Sequence, residues 1–173
     1  AMVIRYLAND NTEEDAASAE RAATELAPAC YYSMFASCIN LTQAPEILPA
    51  TTLESACYSG MFFLCTALEK APKLPATTLA EGCYVSMFKE CSSLTQAPEL
   101  PATTLAEGCY AGMFNECSSL TQAPELPAIT LTKECYAGMF EDCSSLTQAP
   151  ELPASELIDS CYLEMFKGCA NLN

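Results

Sequence analysis

Twelve cysteines are the side chains best able to do chemistry in this 173-residue sequence. They stand in six C-x7-C pairs: Cys30 and Cys38, Cys57 and Cys65, Cys83 and Cys91, Cys109 and Cys117, Cys135 and Cys143, Cys161 and Cys169. Three chemistries are open to such a set. An even count suits a disulfide framework in an oxidising compartment. Metal binding is disfavoured, because tetrahedral cysteine sites use C-x2-4-C knuckles and no histidine is present to assist. The third reading is a pair of ladders of reduced thiols, packed as small buried hydrophobes. On a straight helix, residues eight apart are separated by about 12 Å, whereas a disulfide needs Cα atoms within about 7 Å. A bond inside one pair would therefore require the second cysteine to lie beyond the helix end. Bonds between neighbouring pairs stay open.

Other catalytic chemistry lacks its parts. The absence of histidine removes the commonest general acid or base. The recurring serines stand beside no base that could activate them, and no phosphate-binding loop appears. We expect no enzyme activity, no cofactor and no metal. Seven Lys plus Arg against 22 Asp plus Glu give a net charge of −15, so the basic footprint of a nucleic-acid binder is missing. An anionic membrane surface is disfavoured for the same reason, and no apolar run is long enough for membrane insertion. The first seven residues, AMVIRYL, do not read as a signal peptide.

The cysteines belong to a repeat. Residues 92–102 recur letter for letter at 118–128 and 144–154, and a fixed period of this size marks a stacked array. Leu26, Leu53, Leu79, Leu105, Leu131 and Leu157 each stand four residues before a Cys-Tyr pair, and Met-Phe follows three residues after each Tyr. The period is 26 except for a first step of 27, where Ile47 supplies an extra residue and predicts a local bulge. Leu105, Cys109, Tyr110, Met113, Phe114 and Cys117 then share one face of a short helix, with Thr103 or Thr104 as its cap. Gly108 and Gly112 weaken its propensity. Pro124 and Pro127 stop the helix and fit a brief extended segment. The expected fold class is thus α/β: a leucine-rich-repeat solenoid of about six 26-residue units, with short strands on one face and short helices on the other. Residues 1–25 are expected to form an N-terminal strand (2–7) and an acidic capping segment. The solenoid proper runs over 26–173 and is expected to continue beyond Asn173.

The order Phe-x-x-Cys-x-x-Leu, then Leu-Pro, with CYxxMFxxC and LPATTL recurring over about residues 22–173, resembles the BspA-like leucine-rich repeats of Bacteroidetes surface proteins. That resemblance implies a secreted or surface-anchored protein with a binding or adhesion role.

Candidate binding residues come from the polar rows of the extended segment. Gln43, Gln96, Gln122 and Gln148 form one row; Glu46, Glu99, Glu125 and Glu151 form another. Lys70 and Lys73 interrupt these rows and could pair with Glu46 and Glu99. Phe63-Leu64 replaces a charged pair on the expected solvent side of the helix, suggesting an apolar contact patch. The expectation is a non-enzymatic module with a protein or glycoprotein ligand, host-derived in the sharpest version, on the strand (concave) face. A structural spacer or stalk without its own ligand is the alternative. The open end of the array also suggests end-to-end self-association.

Overall fold

The computed structural model describes residues 26–173, so the strand expected at 2–7 and the acidic cap expected through residue 25 lie outside the described residues. The repeat is present, but the predicted α/β solenoid is not. Among the described residues there is no helix, and strand pairing is confined to four isolated parallel bridges. Each unit instead folds as a ten-residue ribbon of consecutive turns, at 28–37, 55–64, 81–90, 107–116, 133–142 and 159–168.

The backbone explains why a helix does not form. Three residues in every ribbon, four apart, have positive φ: Gly108 (59°), Gly112 (60°) and Glu116 (60°) in the fourth unit. A right-handed helix cannot pass through even one such residue. The N–H groups then divide into two alternating sets. Cys109, Ala111, Met113, Asn115 and Cys117 donate back three residues within the ribbon, closing successive β-turns. Gly108, Tyr110, Gly112, Phe114 and Glu116 donate to the carbonyls of Lys133, Cys135, Ala137, Met139 and Glu141 in the next unit, at 2.8–3.0 Å. The same five-bond pattern joins every neighbouring pair of ribbons. Polar backbone groups that a helix would satisfy internally are satisfied here between units.

Two aromatic ladders run through this wall. Tyr31, Tyr58, Tyr84, Tyr110, Tyr136 and Tyr162 stack at 5.6–5.9 Å. The Phe ladder from Phe35 to Phe166 keeps 5.6–5.7 Å, with rings within 11° of parallel. Each stacked pair adds roughly 0.5–1.5 kcal/mol beyond its burial. The expected inward residues are inward: Cys109, Met113, Phe114, Cys117 and Leu120 are all fully buried.

The return segment carries the remaining correction. Strands fail to develop because each APELPA stretch has two prolines, which supply no N–H to a ladder. Pairing survives at Gln43 with Lys70, Ile47 with Lys73, and along Thr52, Thr78 and Thr104. The first of these is offset by 27 residues and the second by 26. Between these two bridges the first unit takes four steps, Gln43 to Ile47, where the second takes three, Lys70 to Lys73, so one residue is left unmatched. That is the bulge the extra residue predicts.

Candidate binding face

All ten polar residues singled out from the sequence lie on the surface: Gln43, Glu46, Lys70, Lys73, Gln96, Glu99, Gln122, Glu125, Gln148 and Glu151 are exposed. What holds them in rows is a loose backbone relay. Thr121 donates both its N–H and its Oγ1 to the Thr95 carbonyl at 3.5 Å, and Thr147 repeats the arrangement on Thr121 at 3.4 Å. These bonds are longer than the 2.7–3.2 Å links of the ribbon wall, so the threonine relay itself is a weak tie.

Between neighbouring units the face opens into grooves. One of about 330 Å³ is lined by Pro72, Lys73, Pro75, Pro98, Glu99 and Pro101, among others. The next, about 420 Å³, lies between Pro98, Glu99 and Pro101 on one side and Pro124, Glu125 and Pro127 on the other. A third, about 380 Å³, repeats this with Pro124, Glu125, Pro127, Pro150, Glu151 and Pro153. The glutamate rows are therefore the rims of successive proline-walled grooves. Sequence reasoning treated these prolines only as breakers. Their spacing of three in the four units from Pro72 to Pro153 is the signal that they form walls.

Electrostatics divide the face in two. Lys73 Nζ sits 3.5 Å from Glu46 Oε1, with both side chains more than 70% exposed, so the pair contributes at most about 1 kcal/mol. Its expected partnership with Glu99 is not formed, and among the described residues Lys70 makes no ion pair. Glu99, Glu125 and Glu151 succeed one another with no cation between them, whereas the first groove has Lys70 and Lys73 at its edge.

The ribbon side is chemically quieter. All twelve cysteines are free, and nine are buried. Burial pushes Cys57 and Cys65 up to about 11, and Cys91, Cys109 and Cys143 up to about 12. A nucleophile or a metal ligand must be a thiolate, so these thiols act as packing. From the second pair on, the second cysteine also donates to the preceding unit: Cys91 Sγ bonds the Phe62 carbonyl at 3.1 Å and Cys143 the Phe114 carbonyl at 3.1 Å. Phe63 and Leu64 are only half-buried, and Asn115, two units along in the column of Phe63, is buried at 7% exposure. That column is not the solvent face the helix register implied. Asn115 Nδ2 donates to Glu141 Oε2 at 2.9 Å, and Lys167 Nζ donates to Glu141 Oε1 at 2.7 Å. The two carboxylates around it, Glu141 and Glu164, hold the Lys167 ammonium well above its ordinary range.

With the fold and both faces in place, comparison with known proteins adds nothing further: no family model, curated protein or solved structure matches the chain. What stands is a repeat protein defined by recurring aromatic and cysteine positions. Among the described residues no helix is long and apolar enough to cross a membrane.

Proposed function

We propose that the chain is a non-enzymatic binding module of a secreted or cell-surface protein, taking a protein or glycoprotein ligand on the proline and glutamate face. One observation carries this reading. Equivalent grooves recur from unit to unit, each open to solvent and walled by prolines, with at least one exposed Glu at its rim. A ligand with a repeating or extended contact surface could engage several at once, gaining from effective concentration rather than from one deep pocket. The acidic stretch from Glu99 to Glu151 favours a basic segment of the ligand. The BspA-like character of the repeat is the reason for placing the protein outside the cell and for looking among host matrix components.

The stalk reading has its own support. The five backbone bonds and two ring stacks at each unit interface make a continuous wall suited to holding a neighbour at a distance. The two readings separate in a binding screen of the intact chain against immobilised matrix proteins and glycoproteins. The binding module gives a saturable, salt-sensitive partner whose signal is lost in the triple variant Glu99→Lys, Glu125→Lys, Glu151→Lys. A partner indifferent to those charges, or no saturable partner, favours the stalk.

A further inference from the structure

On the proline face the grooves lie where backbone pairing stops. At the first junction Leu48 donates to the Lys73 carbonyl and Lys73 to the Glu46 carbonyl. Among the described residues no backbone hydrogen bond joins 96–102 to 122–128, or 122–128 to 148–154. Two prolines in each of these stretches withhold the N–H groups that such bonds would use. The result is a pair of like grooves, each lined by four proline rings and two glutamates. Glu125 belongs to both, Glu99 to the first and Glu151 to the second. None of the three makes an ion pair among the described residues.

Apolar walls between two acceptor groups call for a cationic side chain with an apolar stem and several donors. A guanidinium carries five N–H groups in a planar fork and is weakly hydrated, and its stem packs along apolar surface. It can therefore lie against the prolines and reach a carboxylate of each flanking unit. An ammonium is a compact, strongly hydrated charge and gains less from the same walls. Spacing selects the backbone that presents these groups. Equivalent rings of neighbouring units lie 5.6–5.8 Å apart, so the grooves follow one another at close to this step. Alternate residues of an extended chain repeat at roughly 6.4–6.8 Å, a mismatch that a flexible side chain absorbs. A polyproline helix returns to one face only every ~9.3 Å and overshoots.

We propose that these two grooves take an Arg-x-Arg segment of an extended protein ligand, one guanidinium in each. The inference rests on the binding-module reading above and names the side chains that module reads. Glu125 serves both arginines, while Glu99 and Glu151 each complete one site. The neighbouring groove sets the register, because Lys70 and Lys73 stand at its edge beside Glu99. A third arginine at that end meets like charge, so the ligand carries an acidic or uncharged residue there.

Calorimetric titration of the intact chain with capped heptapeptides, at low ionic strength and up to millimolar peptide, tests this. The peptide GSRSRSG should bind about fivefold tighter than its lysine analogue GSKSKSG. Moving the arginines together, as in GSRRSSG, or one residue further apart, as in GRSSRSG, should cost a similar factor, because one groove is then left empty. In the protein, Glu125→Gln should weaken GSRSRSG by about tenfold, and Glu99→Gln or Glu151→Gln by less. Glu54→Gln removes an exposed carboxylate of the ribbon side and should leave binding unchanged. Equal affinity for the arginine and lysine peptides, indifference to their spacing, or equal losses at Glu125 and Glu54 would reduce the effect to general attraction by an acidic surface and overturn the proposal. A matrix protein or glycoprotein that binds saturably while no arginine peptide does would also overturn it, and would leave the binding module standing. Silence from both kinds of ligand would remove the two together.

Discussion

The Cys117 thiol lies 3.0 Å from the carbonyl oxygen of Phe88, and the same oxygen accepts the N–H of Cys91. One acceptor thus closes a turn in its own unit and ties down the next. Both lone pairs of that buried carbonyl are used, which is how a backbone bent at every fourth residue avoids orphaned groups.

Removing that thiol should therefore cost more than a surface cysteine does. Cys117→Ala loses the bond and leaves a small void, for about 1–2 kcal/mol. Cys117→Ser should not rescue it, because the shorter C–O bond holds the hydroxyl back from the carbonyl and a buried hydroxyl is costlier than a thiol. The exposed Cys38→Ser should fall within about 0.5 kcal/mol of the parent. Urea midpoints of the three variants decide this, and equal effects at Cys117 and Cys38 would remove the thiol from the unit contact.

The buried thiols also predict alkaline lability. Their folded pKa values are raised from an ordinary 9.0 to about 11 for Cys57 and about 12 for Cys91 and Cys109, chiefly by burial. The unfolded chain then loses protons first, so stability is whole below about pH 9 and falls as pH rises toward the folded values. The slope reaches about 1.4 kcal/mol per pH unit for each thiol. Cooperative unfolding is expected between pH 9 and 11. In native protein at pH 8, Cys30 and Cys38 should react rapidly with a thiol reagent, and denaturant should reveal all twelve. A denatured, unreduced count well below twelve would mean disulfides instead.

How much of this could be read beforehand is clearest in the fourth unit. The inward positions of Leu105, Cys109, Tyr110, Met113, Phe114 and Cys117 are legible, because burial follows side-chain chemistry whatever the backbone does. Apolar residues at i, i+4, i+5, i+8 and i+9 fit a helix and a four-residue turn ribbon equally well within one unit, so the backbone was not legible there. The deciding signal lay in the glycines. All six in the sequence, Gly60, Gly82, Gly108, Gly112, Gly138 and Gly168, fall in the three positive-φ columns. Twelve other residues in those columns are Ala, Ser, Leu, Glu or Asp and give no such warning. On the opposite face the exposed rows were legible from their polarity. The grooves beneath them were not, since they depend on how prolines of neighbouring units come together.

Positive φ at a non-glycine position predicts a stabilising substitution. Glu90 holds φ of 62°, in the column where the last unit has Gly168. Glycine there relieves roughly 1–2 kcal/mol of left-handed strain and gives back about 0.4–1 kcal/mol through the unfolded chain. Because the change also removes a charge, the proper reference is Glu90→Ala. Glu90→Gly should be the more stable of the two by up to about 1 kcal/mol. In the opposite direction, Gly168→Ala should be destabilising by roughly 1–2 kcal/mol, because a Cβ is strained at its φ of 75° and the exposed Asp142 carboxylate would have to turn aside. Thermal unfolding of the three variants reads both effects, and an alanine at 90 matching glycine would deny the strain.

Lys73→Glu would complete the acidic row and bring a third carboxylate between Glu46 and Glu99. The ion pair lost is exposed, so the stability cost should be below about 1 kcal/mol and should shrink in high salt. Binding responds differently under the proposed function. A basic ligand should gain affinity from the extended row, and Lys70→Glu should act in the same direction. Titrations at two ionic strengths separate the effects, and a ligand weakened by both charge reversals would place its contact on the lysines instead.

The aromatic ladders make a prediction about cooperativity. Phe114 is fully buried between Phe88 at 5.7 Å and Phe140 at 5.6 Å, whereas Phe166 is half-buried and stacks on Phe140 alone. Phe114→Ala should cost about 3–5 kcal/mol, and Phe166→Ala less than half as much. In a stack held by nearest-neighbour terms, the position of a defect also matters. Breaking the central interface should uncouple the two halves and split one denaturation transition into two, while the end variant should keep a single transition at a slightly lower midpoint. Phe114→Leu restores most of the volume without the ring stacking. If it recovers the single transition, burial carries the coupling; if two transitions persist, the ladder does. Equal costs at Phe114 and Phe166, each with one transition, would mean that the stack unfolds as one globular body.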